Sequence, residues 1–223
     1  MAKNLAEQGA LVAGIDAKIY TRALAKRTGR CLYPAADFER LSIFLQKRYR
    51  FNNYTKPILV GYSYGATLIY GLLAQAPTGT FRGGIALGFC PDILISKALC
   101  KGTGLTSHLL PDRKTYYLER TNKLSAPFIV LAGVQDKSCP FLATEKFIKG
   151  LPLAELMVLP KVGHGFSIAD NWLPQFDAAF RKLLAFRSDI EIKNEKARFA
   201  ELYQSNLPLV HIPGLPTIDR LSL

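Results

Sequence analysis

A serine flanked by glycines is the residue of this sequence whose setting best suits covalent chemistry. Ser63 stands in the pentapeptide GYSYG at 61–65, after an apolar run and before an apolar segment with helical spacing at 66–76. This order predicts a strand, a sharp turn and a helix, and a serine on such a turn is strained so that its hydroxyl is exposed. Gly61 and Gly65 would let the strand and the helix approach closely. Ser63 is therefore the candidate nucleophile, with an ordinary glycine-rich turn as the alternative.

A serine hydroxyl is a weak nucleophile, so the hypothesis requires a base that takes its proton. The sequence has three histidines. His164 lies in a glycine-flanked loop just after the apolar run 156–159. By contrast, His108 stands in a polar stretch and His211 in a proline-rich tail. His164 is the predicted base, and a solvent-exposed loop histidine is the alternative.

The base in turn needs a group that orients it, and an aspartate is suitably placed. The apolar run 127–132 predicts a buried strand, and Asp136 follows its end. Carboxyl ends of parallel strands form the edge where α/β folds place their sites. Asp136 is thus the predicted orienting acid, with a turn-capping aspartate as the alternative. The chain order Ser63, Asp136, His164 is that of an α/β-hydrolase, so we expect the three side chains to meet at this edge.

The elements that must position these residues predict an α/β fold. Strands that alternate with helices form a mostly parallel, doubly wound sheet. The polar stretch 91–125 is predicted to be irregular and is long enough to form a lid over the site. This hydrolase-type domain is expected over 1–188, followed by a linker and the start of a second region at 189–223. The predicted strands are 11–16, 58–62, 84–89, 127–132 and 156–159, and the predicted helices are 36–49, 66–76 and 173–186.

Acyl transfer at Ser63 would also need two backbone donors for the oxyanion. One is the amide of Tyr64, and the other normally comes from a loop between an early strand and the first helix. The chain is predicted to begin in that first helix and thus to lack the first strands of the fold. We therefore expect the strand near Val12 and the strand near Val60 either to pair directly or to leave a gap. This form of the chain is therefore expected to hydrolyse esters poorly or not at all, and a form extended by the upstream strand and loop is expected to be active.

Composition limits the classes of function. With 223 residues and 49% hydrophobic content, the chain can form a domain with a substantial core. The net charge of +12 comes from basic residues spread along the sequence, which suits an anionic membrane surface or lipid as partner. No nucleic-acid motif occurs among them, so a nucleic-acid partner is not predicted. No apolar run is long enough for a transmembrane segment, and no secretion signal is recognisable.

Four cysteines complete the chemically distinctive residues of the chain. They lack the paired short spacings of a zinc site, so neither a metal nor a cofactor is predicted. Two disulfides and four free thiols both fit this count. We expect at least one disulfide, with Cys90 as a participant, because the cysteines cluster in loops after strands. The four positions are Cys31, Cys90, Cys100 and Cys139.

Four blocks of the sequence form a recognisable set: VAGID at 12–16, GYSYGA at 61–66, LGFCPD at 87–92 and PKVGHGF at 160–166. Together they resemble the VirJ/AcvB family of bacterial virulence proteins. The resemblance implies an α/β-hydrolase fold, a periplasmic and hence oxidising location, and, in the AcvB branch, two hydrolase-like regions and hydrolysis of lysyl-phosphatidylglycerol. The chain departs from the family in its missing signal peptide and first oxyanion loop. A non-catalytic periplasmic binding or chaperone-like module is the competing hypothesis.

Overall fold

The computed structural model describes residues 1–186, and the predicted linker and second region at 189–223 lie outside these residues. The described part alternates strands and helices, with one short 3-10 helix at Ala169–Asn171. The helices are α1 (Ala2–Glu7), α2 (Ala17–Ala25), α3 (Pro34–Arg48), α4 (Tyr64–Gln75), α5 (Phe141–Ile148) and α6 (Leu173–Ala185). The strands are β1 (Ile58–Tyr62), β2 (Gly83–Leu87), β3 (Asp92–Leu94), β4 (Ser107–Leu109), β5 (Thr115–Leu118), β6 (Phe128–Gly133) and β7 (Ala154–Leu159).

A four-stranded parallel sheet carries the fold, in the order β1-β2-β6-β7. Every residue of β2 and β6 is buried, as expected for central parallel strands covered on both faces. Alternate residues point to opposite faces. The mostly parallel sheet with flanking helices confirms the predicted α/β-hydrolase type of fold.

Two apolar layers enclose this sheet. On one face, Val130 and Ala86 belong to a core cluster that includes most of α4. On the other face, Ile85 and Leu131 pack in a cluster with Phe176 of α6. Because both faces are covered, the sheet is held rigidly and its strand ends have fixed positions. Among residues 1–186, no helix combines the length and the apolar content required to cross a bilayer.

Helix α4 lies in the centre of the molecule, since its residues 66–75 are all buried. Its Tyr70 is fully buried, and burial raises the pKa of this phenol, which keeps it neutral. The Tyr70 hydroxyl donates to the Glu119 carbonyl and accepts from the Thr121 amide. Tyr70 thus attaches the segment after β5 to the helix that begins at the candidate nucleophile.

The stretch 91–125 is not irregular as predicted. It contains a small antiparallel sheet of order β3-β5-β4 that packs along α4. A Cβ added to Gly71 of α4 would lie 2.6 Å from Leu99 Cδ1, which shows how closely the two parts approach. The three strands of this insert are short and mix polar and apolar residues, so the sequence shows too little periodicity there to predict them. The role of this insert as a lid stays a prediction.

The predicted strand at 11–16 is wrong. Residues 10–16 have no regular secondary structure, and Leu11, Val12 and Ile15 are 44%, 36% and 38% exposed. The reason is that a strand exists only with a hydrogen-bonded neighbour, and β1 pairs among the described strands with β2 alone. The direct pairing of the segments near Val12 and Val60 therefore does not occur. Instead, Asp16 Oδ1 accepts from the Ile19 amide and caps α2.

Candidate active site

Ser63 occupies a strained turn between β1 and α4. Its φ of 51° and ψ of −117° lie outside the regions that residues with a side chain favour. The Ser63 amide donates to the Leu87 carbonyl of β2 at 2.9 Å, and the Ser63 carbonyl accepts from Ala66 at 2.8 Å. Such a conformation costs on the order of 1–3 kcal/mol and persists because the surrounding contacts impose it. It separates the Ser63 side chain from the strand and aims it away from the sheet.

Only one of the two motif glycines is required sterically. A Cβ on Gly61 would lie 2.3 Å from the Gly65 carbonyl oxygen and 2.7 Å from Ile69 Cδ1, so a side chain there collides with the helix backbone. A Cβ on Gly65 would meet nothing within 4 Å. The close approach of strand and helix therefore depends on Gly61, and the predicted steric role of Gly65 is wrong.

The two glycines provide a matched pair of variants. We expect Gly61→Ala to lower the free energy of unfolding by about 1–3 kcal/mol, the usual cost of overpacking, and to displace Ser63. Gly65→Ala should be neutral or slightly stabilising, because alanine favours a helix more than glycine does. Urea unfolding of both variants measures the difference. Equal destabilisation by the two substitutions would contradict this account of the turn.

His164 lies beside Ser63 and Asp136 in the loop after β7. Its Nε2 is 3.0 Å from Ser63 Oγ, and its Nδ1 is 2.8 Å from Asp136 Oδ2. The carboxylate can only accept, so Nδ1 donates to Asp136 and Nε2 is left to accept from the serine hydroxyl. The structure thus brings the three predicted residues into one hydrogen-bonded chain. His108 instead contacts Glu119 Oε1 through Nδ1 at 2.6 Å, and His211 lies outside the described residues.

Asp136 is held from two sides. One oxygen bonds His164, and the other accepts the amides of Ser138 at 2.9 Å and Cys139 at 2.8 Å. The residue is 5% exposed, and these donors compensate the desolvation of a buried carboxylate. Asp136 therefore caps its own turn and contacts the histidine at the same time, so the two interpretations that the sequence left open both describe it.

Comparison with known families agrees with this geometry. The sequence profile of the prolyl oligopeptidase family, peptidase S9, matches residues 17–186, a range that contains Ser63, Asp136 and His164. The chain belongs to the prolyl oligopeptidase family. Among curated protein sequences, none matches it significantly.

Several solved structures resemble this family member at low sequence identity. A structure assigned as a dienelactone hydrolase from Klebsiella pneumoniae is 15% identical with a TM-score of 0.48, and covers 68% of this chain and 60% of its own. Esterase PE8 is 19% identical with a TM-score of 0.42, over 67% and 60% of the two chains. The esterase domain of a Rhodothermus marinus protein is 14% identical with a TM-score of 0.41, over 73% and 78%. This chain thus covers only 60% of the length of each of the first two structures.

Two neighbours of His164 in this prolyl oligopeptidase family member were not predicted. The Tyr62 hydroxyl donates to the His164 carbonyl at 2.9 Å, and the two rings lie 5.5 Å apart. Gly88, with φ of +62°, allows the imidazole to lie close, because a Cβ there would be 3.2 Å from the ring. Tyr62 ends β1 and Gly88 follows β2, so both lie at the carboxyl ends of parallel strands next to the site. This position at a strand end was the signal that could have identified them.

The amide of Tyr64 is the backbone group available to an oxyanion at Ser63. Tyr64 is the first residue of α4, and the first amides of a helix have no partner within it. The partial positive charge of a helix N-terminus also favours an anion there. Burial raises the pKa of the Tyr64 phenol, so this side chain stays neutral, and its hydroxyl lies 3.5 Å from Thr21 Oγ1.

A metal is a poor explanation of the same cluster. Within residues 1–186, the His, Cys, Asp and Glu groups close enough to share an ion are Asp136, Cys139 and His164. However, Cys139 is in a disulfide and offers no thiolate, and the other two side chains bond each other. The contacts fit a proton-transfer site better than a metal site.

All four cysteines form disulfides. Of the three pairings that four cysteines allow, the structure has Cys31–Cys100 and Cys90–Cys139, with Cα separations of 4.9 and 5.1 Å. The first attaches the segment before α3 to the insert. The second joins the loop after β2 to the turn that holds Asp136. Cys90 is thus a participant, as the sequence indicated, and the alternative of four free thiols is excluded.

Proposed function

We propose that this chain is a serine ester hydrolase of the bacterial envelope. The observation that carries the proposal is the continuous hydrogen-bonded chain from Ser63 Oγ through His164 to Asp136, with Ser63 in a strained turn at the N-terminus of a buried helix. Membership of the prolyl oligopeptidase family supports it. These features together are those of nucleophilic catalysis at a carbonyl group.

The geometry supports a two-step reaction. As Ser63 Oγ attacks the ester carbonyl carbon, His164 Nε2 takes the hydroxyl proton, and Asp136 stabilises the resulting imidazolium. The Tyr64 amide donates to the oxyanion. His164 then gives the proton to the departing alcohol oxygen, which leaves an acyl-serine. A water molecule, deprotonated by His164, hydrolyses this ester and releases the carboxylic acid and free Ser63.

For the substrate, we propose the aminoacyl ester of lysyl-phosphatidylglycerol. The resemblance to the VirJ/AcvB family supports this substrate, as does the net charge of +12, which favours an anionic membrane. Exposed cationic and apolar side chains also follow the strands that carry the site. They are Lys137, Lys161, Val134 and Ile168, the last two 47% and 62% exposed. This mixture suits contact with an anionic lipid surface.

On the same resemblance, we propose that the protein is periplasmic and associated with virulence. The two disulfides support an oxidising compartment, because such bonds persist outside the reducing cytosol.

Vesicles of defined composition test the proposed function. The chain is incubated with vesicles of lysyl-phosphatidylglycerol in phosphatidylglycerol, and free lysine is measured against a Ser63→Ala control. We expect lysine release that depends on Ser63. A prolyl peptide amide is assayed in parallel, since the name of the family suggests peptide hydrolysis as the alternative to ester hydrolysis. Peptide cleavage without lysine release would refute the ester substrate. No cleavage of either substrate, with intact vesicle binding, would favour the non-catalytic binding or chaperone-like module.

A further inference from the structure

We propose that the Cys90–Cys139 disulfide is a positioning element of the candidate site, and that its reduction by a dithiol switches hydrolysis off. The inference rests on the proposed hydrolase function and adds a control that this function does not require. Three sets of contacts support it, on the acid side, on the nucleophile side and beside the histidine.

On the acid side, Cys139 is part of the turn that holds Asp136. Its amide donates to Asp136 Oδ1 at 2.8 Å, and the residue is only 7% exposed. Asp136 Oδ2 makes the bond to His164. The position of Cys139 therefore sets the orientation of the carboxylate that faces the histidine.

On the nucleophile side, Cys90 is bound to helix α4. Its carbonyl accepts from Thr67 Oγ1 at 2.6 Å, and Thr67 lies one turn after Ser63. The Thr67 amide in turn donates to the Ser63 carbonyl at 3.3 Å. A continuous path of one covalent bond and a few hydrogen bonds thus runs from the turn of Ser63 through Cys90 and Cys139 to Asp136.

The loop that carries Cys90 also borders the histidine. Gly88, two residues earlier, faces the His164 ring so closely that an added Cβ would lie 3.2 Å from it. The carbonyl of Phe89 accepts from Thr144 Oγ1 of α5 at 2.8 Å. The disulfide closes this loop onto the acid turn with Cα atoms 5.1 Å apart. Without the bond, hydrogen bonds alone would hold the acid turn to the loop, and small displacements of catalytic groups cost rate steeply.

The chemistry of the switch balances as an ordinary thiol exchange. One thiolate of the dithiol attacks a sulfur of the Cys90–Cys139 bond, and its second thiolate displaces the mixed disulfide. The protein gains two electrons and two protons as two thiols, and the dithiol becomes a cyclic disulfide. Cys90 is half-buried whereas Cys139 is buried, so we expect the attack at the sulfur of Cys90.

The second disulfide supplies a matched control. Cys31–Cys100 closes 69 residues, compared with 49 for Cys90–Cys139, so the entropy that each removes from the unfolded chain is similar. Its surroundings are the bridge Leu32–Leu99 and the Gln75 side chain, which donates to the Leu32 and Cys100 carbonyls rather than to a residue of the candidate site. Loss of stability should therefore be comparable in the two cases, whereas loss of positioning should not.

The test compares two double variants. The first combines Cys90→Ala and Cys139→Ala, and the second combines Cys31→Ala and Cys100→Ala. For hydrolysis of p-nitrophenyl acetate, we expect the first to lower kcat at least tenfold with KM unchanged within twofold, and the second to leave both within twofold. The downfield proton resonance of the His164 imidazole that bonds Asp136 should be lost in the first variant only. Equal effects of the two variants, or retention of that resonance in both, would overturn the proposal.

Dithiothreitol provides a measurement that does not depend on the folding of the first variant. In the variant that lacks Cys31 and Cys100, the Cys90–Cys139 disulfide is the single target of the reductant. The kcat should fall in proportion to the fraction of molecules in which this bond has been reduced to two thiols. Full activity after complete reduction would overturn the proposal. If the unaltered protein hydrolyses no ester, the proposed function fails instead, and the imidazole resonance during reduction still decides the inference.

Discussion

Ser63→Ala is expected to reduce ester hydrolysis by about 10⁶-fold, the loss that follows removal of the nucleophile from a triad that acts as a unit. The variant should fold normally, because alanine only removes the hydroxyl from the turn. The strain at φ 51° stays. Initial rates with p-nitrophenyl acetate, at enzyme concentrations high enough to detect the residual activity, measure the effect.

A second serine serves as the control for this variant. Ser96 is exposed in the insert just after β3, and the side-chain hydrogen bonds of Ser63, Asp136 and His164 go to other residues. Ser96→Ala should hydrolyse the ester at the rate of the unaltered protein. A Ser63→Ala protein that retains more than a few per cent of the activity would show that the nucleophile has been assigned wrongly.

Asp136→Asn is expected to lower kcat by about 10⁴-fold with little change in KM. An amide has nearly the shape of the carboxylate, but its NH₂ group can donate to His164 Nδ1 and so favours the tautomer in which Nε2 carries the proton. That tautomer cannot take the proton of Ser63. Steady-state kinetics separates the two parameters.

Asp37→Asn is the matched control for the substitution of a buried carboxylate. Asp37 is 6% exposed, accepts from the Tyr20 hydroxyl at 2.8 Å and pairs with Arg27 at 2.8 Å. The variant should be less stable, since a buried carboxylate loses its charge and with it the ion pair to the partly exposed Arg27, yet its kcat below the unfolding temperature should be unchanged. A similar loss of kcat in both variants would mean that Asp136 acts through stability rather than through the histidine.

The candidate site was predictable because its signals are local. Each of Ser63, Asp136 and His164 follows a short apolar run, and parallel strands bring their carboxyl ends together wherever the helices pack. The sequence could place three residues at one edge without knowledge of any distance. The fold class followed from the same alternation of elements, and the central strands β2 and β6, which are buried at every residue, consist only of apolar residues and glycine.

Features that depend on distant parts of the chain were not predictable in this way. The segment 11–16 has the composition of a strand, but pairing requires a neighbour that composition does not specify. The pairing of Cys90 with Cys139 depends on how the loops after two different strands meet. Likewise, the contact of Tyr62 with His164 joins residues 102 positions apart. Gly65 is the opposite case. The motif predicted that glycine is required there, but a Cβ at this position would meet no atom within 4 Å.

The measurement that tests the central claim most directly is the mapping of the residue that a fluorophosphonate modifies. The folded protein is treated with the reagent, digested and analysed by mass spectrometry, with urea-unfolded protein as the comparison. Our account predicts a single adduct on Ser63 that forms only in the folded protein, because only there does His164 take the serine proton. An adduct on another residue, or none on the folded protein, would contradict the account.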